Sequence, residues 1–179
     1  MQLVDPSSSK DSLSFSIWDF GGQAVFYTLH HLFLTEYGCY VLVFDLTKLL
    51  REESRKDTIE YLRFWLFSKK LHAPNASVFI VGTRCNECRS FEEEMKIVNK
   101  ILKNKVLKTE EFNVEWNHVH KRLCFFPVDN EDSTNIDGLR QRIEVVVRGS
   151  DYIEEEVPLS FLRVLELCLE TKQNFLHLG

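Results

Sequence analysis

Three short, nearly continuous apolar runs constrain this chain more than anything else in it: YGCYVLVFDL at Tyr37–Leu46, ASVFIVGT at Ala76–Thr83 and LCFFPV at Leu123–Val128. A strand with one face in water alternates apolar and polar residues, whereas a strand buried on both faces has no reason to alternate. Helical patterns separate the three. Ser54–Leu71 puts Ile59, Leu62 and Leu66 on one side, and a stripe of Phe91, Met95, Val98, Leu102 and Val106 follows Ser90. Ser90 and Glu93 match a capping box, while Lys103, Lys105 and Lys108 fall near the far end, where cations suit the helix dipole. Ile136–Val147 predicts a closing helix. Strands covered on both sides and separated by helices predict an α/β fold with a doubly wound, mostly parallel sheet and flanking helices. Such sheets bind ligands at the C-terminal ends of their strands. That rule selects Asp19–Gln23, Asp45–Lys48, Thr83–Glu87 and Val128–Glu131.

The charge balance removes several function classes. With 22 Lys and Arg against 27 Asp and Glu, the net charge is −5, and no basic field invites nucleic acid or an anionic membrane. No stretch is apolar enough for a membrane span, and the opening MQLVDPSSSKDS has no signal-peptide pattern. A cytoplasmic setting with reduced thiols is therefore expected. Cys85 and Cys88 form a CxxC, but no second pair completes a zinc ribbon, and the six histidines show no ligand spacing. No metal is expected on these groups.

Upstream, Leu13–Asp19 alternates, with Phe15 and Ile17 on one face, which predicts a strand; MQLVD before the turn-rich PSSSKDS would be the end of its hairpin partner. That strand runs into Asp19, Phe20, Gly21, Gly22 and Gln23. An Asp at a strand end can hold Mg²⁺ through water. A glycine with no Cβ lets a backbone N–H approach a phosphate, and a Gln just beyond can orient a water for in-line attack. The Asp-Phe-Gly letters invite a kinase reading, but the catalytic-loop motif that accompanies them in kinases is absent from this sequence.

The run WDFGGQAVFYTLHHLFLTEYGCYVLVFDL resembles the switch II region of Ras-like GTPases, and specifically the Roc (Ras of complex proteins) domains of the Roco family, with Trp18, Phe20, Phe26, Tyr27, His31, Phe33 and Asp45 in the family's order. VGTR resembles the Roc base-recognition motif, FFPVDN the last nucleotide-side strand, and VPLSFLRVLELC the opening of the C-terminal-of-Roc (COR) domain. The resemblance implies an incomplete Ras-like P-loop NTPase fold, with a Roc domain over 1–149 and a linker plus the first COR helix over 150–179. It implies Asp19, Gly21 and Gly22 on the γ-phosphate side, Asp19 holding Mg²⁺ through water in a complete domain, and Gln23 as the catalytic residue. Thr83, Arg84, Asn86, Val128, Asp129 and Asn130 would recognise the base. It further implies GTP or GDP with Mg²⁺ in the longer protein, a COR partner, a homodimer and other signalling proteins as partners, and kinase domains in some relatives.

Two departures shape the functional expectation. None of the seven glycines forms a GxxxxGK[ST], so the phosphate cradle, its Lys and its hydroxyl are missing, and this chain alone is expected to be inactive. Asn86 also stands where the motif has an Asp, exchanging a charge-assisted double acceptor for one carbonyl and an NH₂. Two readings follow. The chain is either part of a GTPase molecular switch or a pseudo-GTPase scaffold that keeps the sheet and binds no nucleotide.

Overall fold

The computed structural model describes residues 15–20, 34–108, 112–120 and 123–150. Within them β1 (Tyr40–Asp45) leads into a short helix α1 (Leu46–Leu50) and the long α2 (Glu52–His72). Then come β2 (Val78–Thr83), a 3₁₀ turn at Cys85–Glu87, α3 (Phe91–Ile101) with a π-helical continuation over Leu102–Val106, β3 (Phe126–Pro127) and α4 (Ile136–Arg148). The three strands pair in the order β1-β2-β3, all parallel, with Tyr40 opposite Val78, Asp45 opposite Thr83, and Val81 opposite Phe126. This is the α/β architecture that the apolar runs predict.

Alternation in β1 and β2 sorts side chains to two faces. Phe44, Val78 and Ile80 meet Leu46 and Leu49 of α1, Leu62 and Leu66 of α2, and Met95, Val98 and Leu102 of the α3 stripe. On the other face Phe79 and Val81, with Phe126 and Val128, meet Ile136, Leu139, Ile143 and Val146, so α4 covers it. Val41 and Val43 of β1 lie outside that second cluster and are half-exposed. Gly82 is required by close approach: a Cβ there would lie 2.6 Å from Leu46 Cδ2 and 2.7 Å from its Cγ.

Several expectations are corrected. Residues 15–20 carry no strand, and Ile17 is 91 % exposed instead of sharing a buried face with Phe15. Alternation gives a strand only when a ladder partner and a core face are both available, and among the described residues no strand pairs with the outer edge of β1. The MQLVD hairpin, and Leu13 and Ser14, lie outside the described residues. Leu123–Val128 is buried throughout, yet only Phe126 and Pro127 are paired as strand: the backbone before them bonds elsewhere, Leu123 O accepting from Asn117 N–H at 2.9 Å and Cys124 N–H donating to Asn99 Oδ1 at 2.9 Å. Ser90 caps α3 without a side-chain hydrogen bond, so the capping box is not formed. The strand predicted over Tyr37–Leu46 starts only at Tyr40 and ends at Asp45, and Leu46–Leu50, at the junction with the helix predicted from Ser54, is itself helical: Asp45 caps it by accepting from Thr47 N–H at 2.9 Å and Thr47 Oγ1 at 2.7 Å.

Candidate functional site at the strand ends

Parallel register brings the ends of β1, β2 and β3 to one edge, and with them three of the four segments that the strand-end rule selects. The backbone first fixes the loops: Val128 N–H donates to Gly82 O at 2.8 Å, and Cys85 N–H to Val128 O at 3.2 Å. Thr83 Oγ1 donates to Phe44 O at 3.2 Å. Arg84 then adopts φ 62°, the left-handed region, which turns the chain into the Cys85–Glu87 turn. Asn135 Nδ2 donates to Pro127 O at 3.0 Å, anchoring the loop that enters α4.

On this frame stands a network of charged and amide groups. Arg84 Nε lies 3.6 Å from Asp45 Oδ2, and Arg84 Nη1 lies 3.3 Å from Glu87 Oε1. Arg84 is exposed in both pairs, so each adds at most about 1 kcal/mol and fixes geometry more than stability. Asn86 N–H donates to Asp129 Oδ2 at 3.3 Å, and Asn86 Nδ2 donates to Asp132 Oδ2. Asp129, itself buried, also accepts from Glu131 N–H at 3.0 Å. The hydroxyl and N–H of Thr134 hold the Asp132 carboxyl below the usual carboxylate range, with Asn86 adding to that.

The sequence-predicted base-side residues are therefore together, with different parts to play. Arg84, Asn86 and Asn130 are exposed at the edge, whereas Asp129 is buried beneath it. The Val128 side chain belongs to the core under α4, and only its backbone serves the edge. Asp19 is exposed within the irregular 15–20 stretch, and Gly21, Gly22 and Gln23 lie outside the described residues. Asp45 and Asp132 were missing from the sequence-predicted set. Asp45 ends an apolar run at one of the selected strand ends, a signal that could have included it. Asp132 is joined to Asn86 across 46 positions, which no local pattern reveals.

Both thiols of the CxxC are shifted toward the protonated form. Burial pushes the Cys88 thiol up to about 12, helped by the Glu94 carboxylate, and raises Cys85 as well. Among the described residues no three His, Cys, Asp or Glu converge as metal ligands, and no helix is long and apolar enough to cross a membrane.

Comparison with known proteins gives this edge its context. Residues 1–86, which end at Asn86, match the family model described as "Ras of Complex, Roc, domain of DAPkinase". The matching family is Roc. The match covers 86 of 179 residues, and similarity to longer relatives extends past it. The chain is 29% identical over 168 residues to "Probable serine/threonine-protein kinase pats1" of Dictyostelium discoideum, covering 93% of this chain and 5% of that protein. It is 26% identical over 162 residues to "Cyclic GMP-binding protein C" of the same organism, covering 90% and 6%. It is 39% identical over 85 residues to "Leucine-rich repeat serine/threonine-protein kinase 1" of Mus musculus, covering 46% and 4%. This chain thus spans about a twentieth of these relatives. The Roc match and the parallel α/β sheet agree with a partial Ras-like P-loop fold.

Proposed function

We propose that this chain is the second-switch and base-side part of a Roco-family guanine-nucleotide switch, and that nucleotide is bound in the longer protein. The observation that carries the reading is the coincidence of the Roc match with a strand-end edge that assembles Arg84, Asn86 and Asp129. Residues 1–149 form the Roc unit in this reading, and 150–179 open a COR domain. Asp19, Gly21 and Gly22 face the γ-phosphate, and Gln23 orients the attacking water. Asp19 would hold a nucleotide-bound Mg²⁺ through water, and the ion would supply neutralisation of phosphate charge there. One carboxylate, Asp19, suits such an ion only when phosphates and waters complete its shell. Thr83, Arg84, Asn86, Val128, Asp129 and Asn130 form the base side, Val128 through its backbone. A cytoplasmic location, a homodimer, signalling partners and an attached kinase domain belong to the same proposal.

A second reading has its own support. The amide of Asn86 is already engaged by Asp132, and Arg84 by Asp45 and Glu87, so the edge is internally satisfied without a ligand. This favours a pseudo-GTPase scaffold. Titrating the natural longer protein with fluorescent GDP and GTP in Mg²⁺ separates the two. The switch reading expects saturable binding that Asn86→Ala weakens at least tenfold and Asn86→Asp tightens, with Gln23→Leu slowing hydrolysis at unchanged affinity. No binding at millimolar nucleotide by the natural protein and by Asn86→Asp alike would establish the scaffold.

A further inference from the structure

Acting alone, Asn86 is a poor match for guanine. Its side chain offers one carbonyl acceptor and one NH₂ donor, whereas the guanine edge presents two donors, N1–H and the amine on C2. The fold brings a second acceptor from another loop. Asp132, 46 positions along the chain, accepts from Asn86 Nδ2 through its Oδ2, and both residues are exposed at the strand-end edge. A carboxylate only accepts, so this contact decides how the Asn86 amide lies. Its NH₂ is turned onto Asp132, and its carbonyl lies where the Cys85 thiol donates to it weakly at 3.8 Å. The side on which Asn86 would present a donor is thereby given over to a carboxylate.

Asp132 is held in this position from its own side. Thr134 N–H donates to its Oδ1 at 2.9 Å, and Thr134 O accepts from Asp129 N–H at 3.1 Å, which closes the 129–134 loop on itself. The buried Asp129 accepts from Asn86 N–H with one oxygen and from Glu131 N–H with the other, so one carboxylate ties the two loops together. The hydroxyl and N–H of Thr134, with Asn86, keep the Asp132 carboxyl below the usual range, and it is charged at neutral pH. We infer, on the basis of the guanine-nucleotide reading above, that Asp132 takes the place of the carboxylate missing from the motif: Asn86 Oδ1 accepts from N1–H of the base, and Asp132 accepts from the C2 amine. Asp132 is then a specificity-determining residue that lies outside the motif. Without it the NH₂ of Asn86 would face the base as a donor, which suits xanthine, whose C2 carries a carbonyl.

The test measures the affinities of GDP, inosine diphosphate and xanthosine diphosphate, in Mg²⁺, for the natural longer protein and its Asp132→Ala variant. Inosine diphosphate lacks the C2 amine, so it reports on that one contact. The natural protein should bind GDP at least about tenfold more tightly than either analogue, the worth of one charge-assisted hydrogen bond. In Asp132→Ala, GDP and inosine diphosphate should bind within about twofold of each other, and xanthosine diphosphate should become the tightest of the three. Asp132→Asn keeps an acceptor for Thr134 N–H and should shift the preference the same way, which separates lost recognition from lost loop structure. Adding Asn86→Asp to Asp132→Ala should restore GDP over xanthosine diphosphate. An equal loss of GDP and inosine diphosphate in Asp132→Ala would make Asp132 a structural support and overturn its role in specificity, as would a natural protein that prefers xanthosine diphosphate. No binding of any of the three at millimolar concentration by the natural protein would refute the guanine-nucleotide reading itself, and the role of Asp132 with it.

Discussion

Gly82 lies where β2 passes under the first turn of α1, and replacing it with Ala tests that packing directly. The added Cβ would stand 2.6 Å and 2.7 Å from Leu46 Cδ2 and Cγ and 3.2 Å from Phe44 Cζ. Ordinary contact begins near 3.4 Å, so Leu46 must retreat by close to 1 Å. It has nowhere to go: its side chain is fully buried, and its backbone follows directly on Asp45, whose carboxylate is bonded to Thr47. Overpacking of this kind costs about 1–3 kcal/mol. With a urea m-value of about 2 kcal/mol/M, the midpoint should fall by about 0.5–1.5 M with m unchanged. Leu46→Ala alone should cost about 2–5 kcal/mol by opening a cavity. In the double variant the new methyl occupies part of that cavity, so the two costs should fall short of additive by at least about 1 kcal/mol. Additivity within about 0.5 kcal/mol, or a Gly82→Ala midpoint equal to the parent's, would refute the packing argument.

Three further outcomes are expected. Glu115→Ala removes the acceptor of Arg142 and of Ser77 Oγ and leaves a partly buried guanidinium short of a partner, so thermal unfolding should show a loss of about 1–3 kcal/mol. The Cys88 thiol is neutral in the native state up to about 12 but ionises in the unfolded chain from about 9, so stability should hold below pH 9 and decline between pH 9 and 12; Cys88→Ala should flatten that limb in pH-dependent urea titrations. Asp132 behaves with the opposite sign. Its depressed carboxyl contributes stability above its ordinary value of 3.8 that is lost as pH falls below it, and Thr134→Val should return its NMR titration midpoint toward 3.8.

The parts of the fold that could be read in the sequence are those where composition and environment agree. β2 is buried along nearly its whole length, and VFIVGT is apolar along its length. The α3 stripe reappears with Met95, Val98, Leu102 and Val106 buried. What failed depended on distant partners. Phe15 and Ile17 alternate as a strand should, but alternation cannot supply a neighbouring strand. LCFFPV is buried as expected, yet Asn117 and Asn99 take the backbone of Leu123 and Cys124 and shorten its strand. Ser90 and Glu93 have capping-box spacing without the bond. At the strand-end edge, Thr83–Asn86 and Val128–Asn130 were found because strand ends in parallel sheets converge. The engagement of Asn86 by Asp132 and of Arg84 by Asp45 is decided by loop geometry that sequence spacing does not encode.

The unequal ladders of this sheet also bear on the order in which it forms. Pairing Tyr40 with Val78 closes 38 residues, and pairing Val81 with Phe126 closes 45. The extra loop-closure entropy of the second is only about 0.15 kcal/mol. The return on closure differs far more, since β1 and β2 share six residue pairs and β2 and β3 two. The β1-α1-α2-β2 unit should therefore close first, and pulsed hydrogen exchange should find the amides of β2 facing β1 protected before that of Val128. Until β3 arrives, the inner edge of β2 is an open template for another chain. The shortest strand of the sheet is then the one that ends the period of greatest aggregation risk.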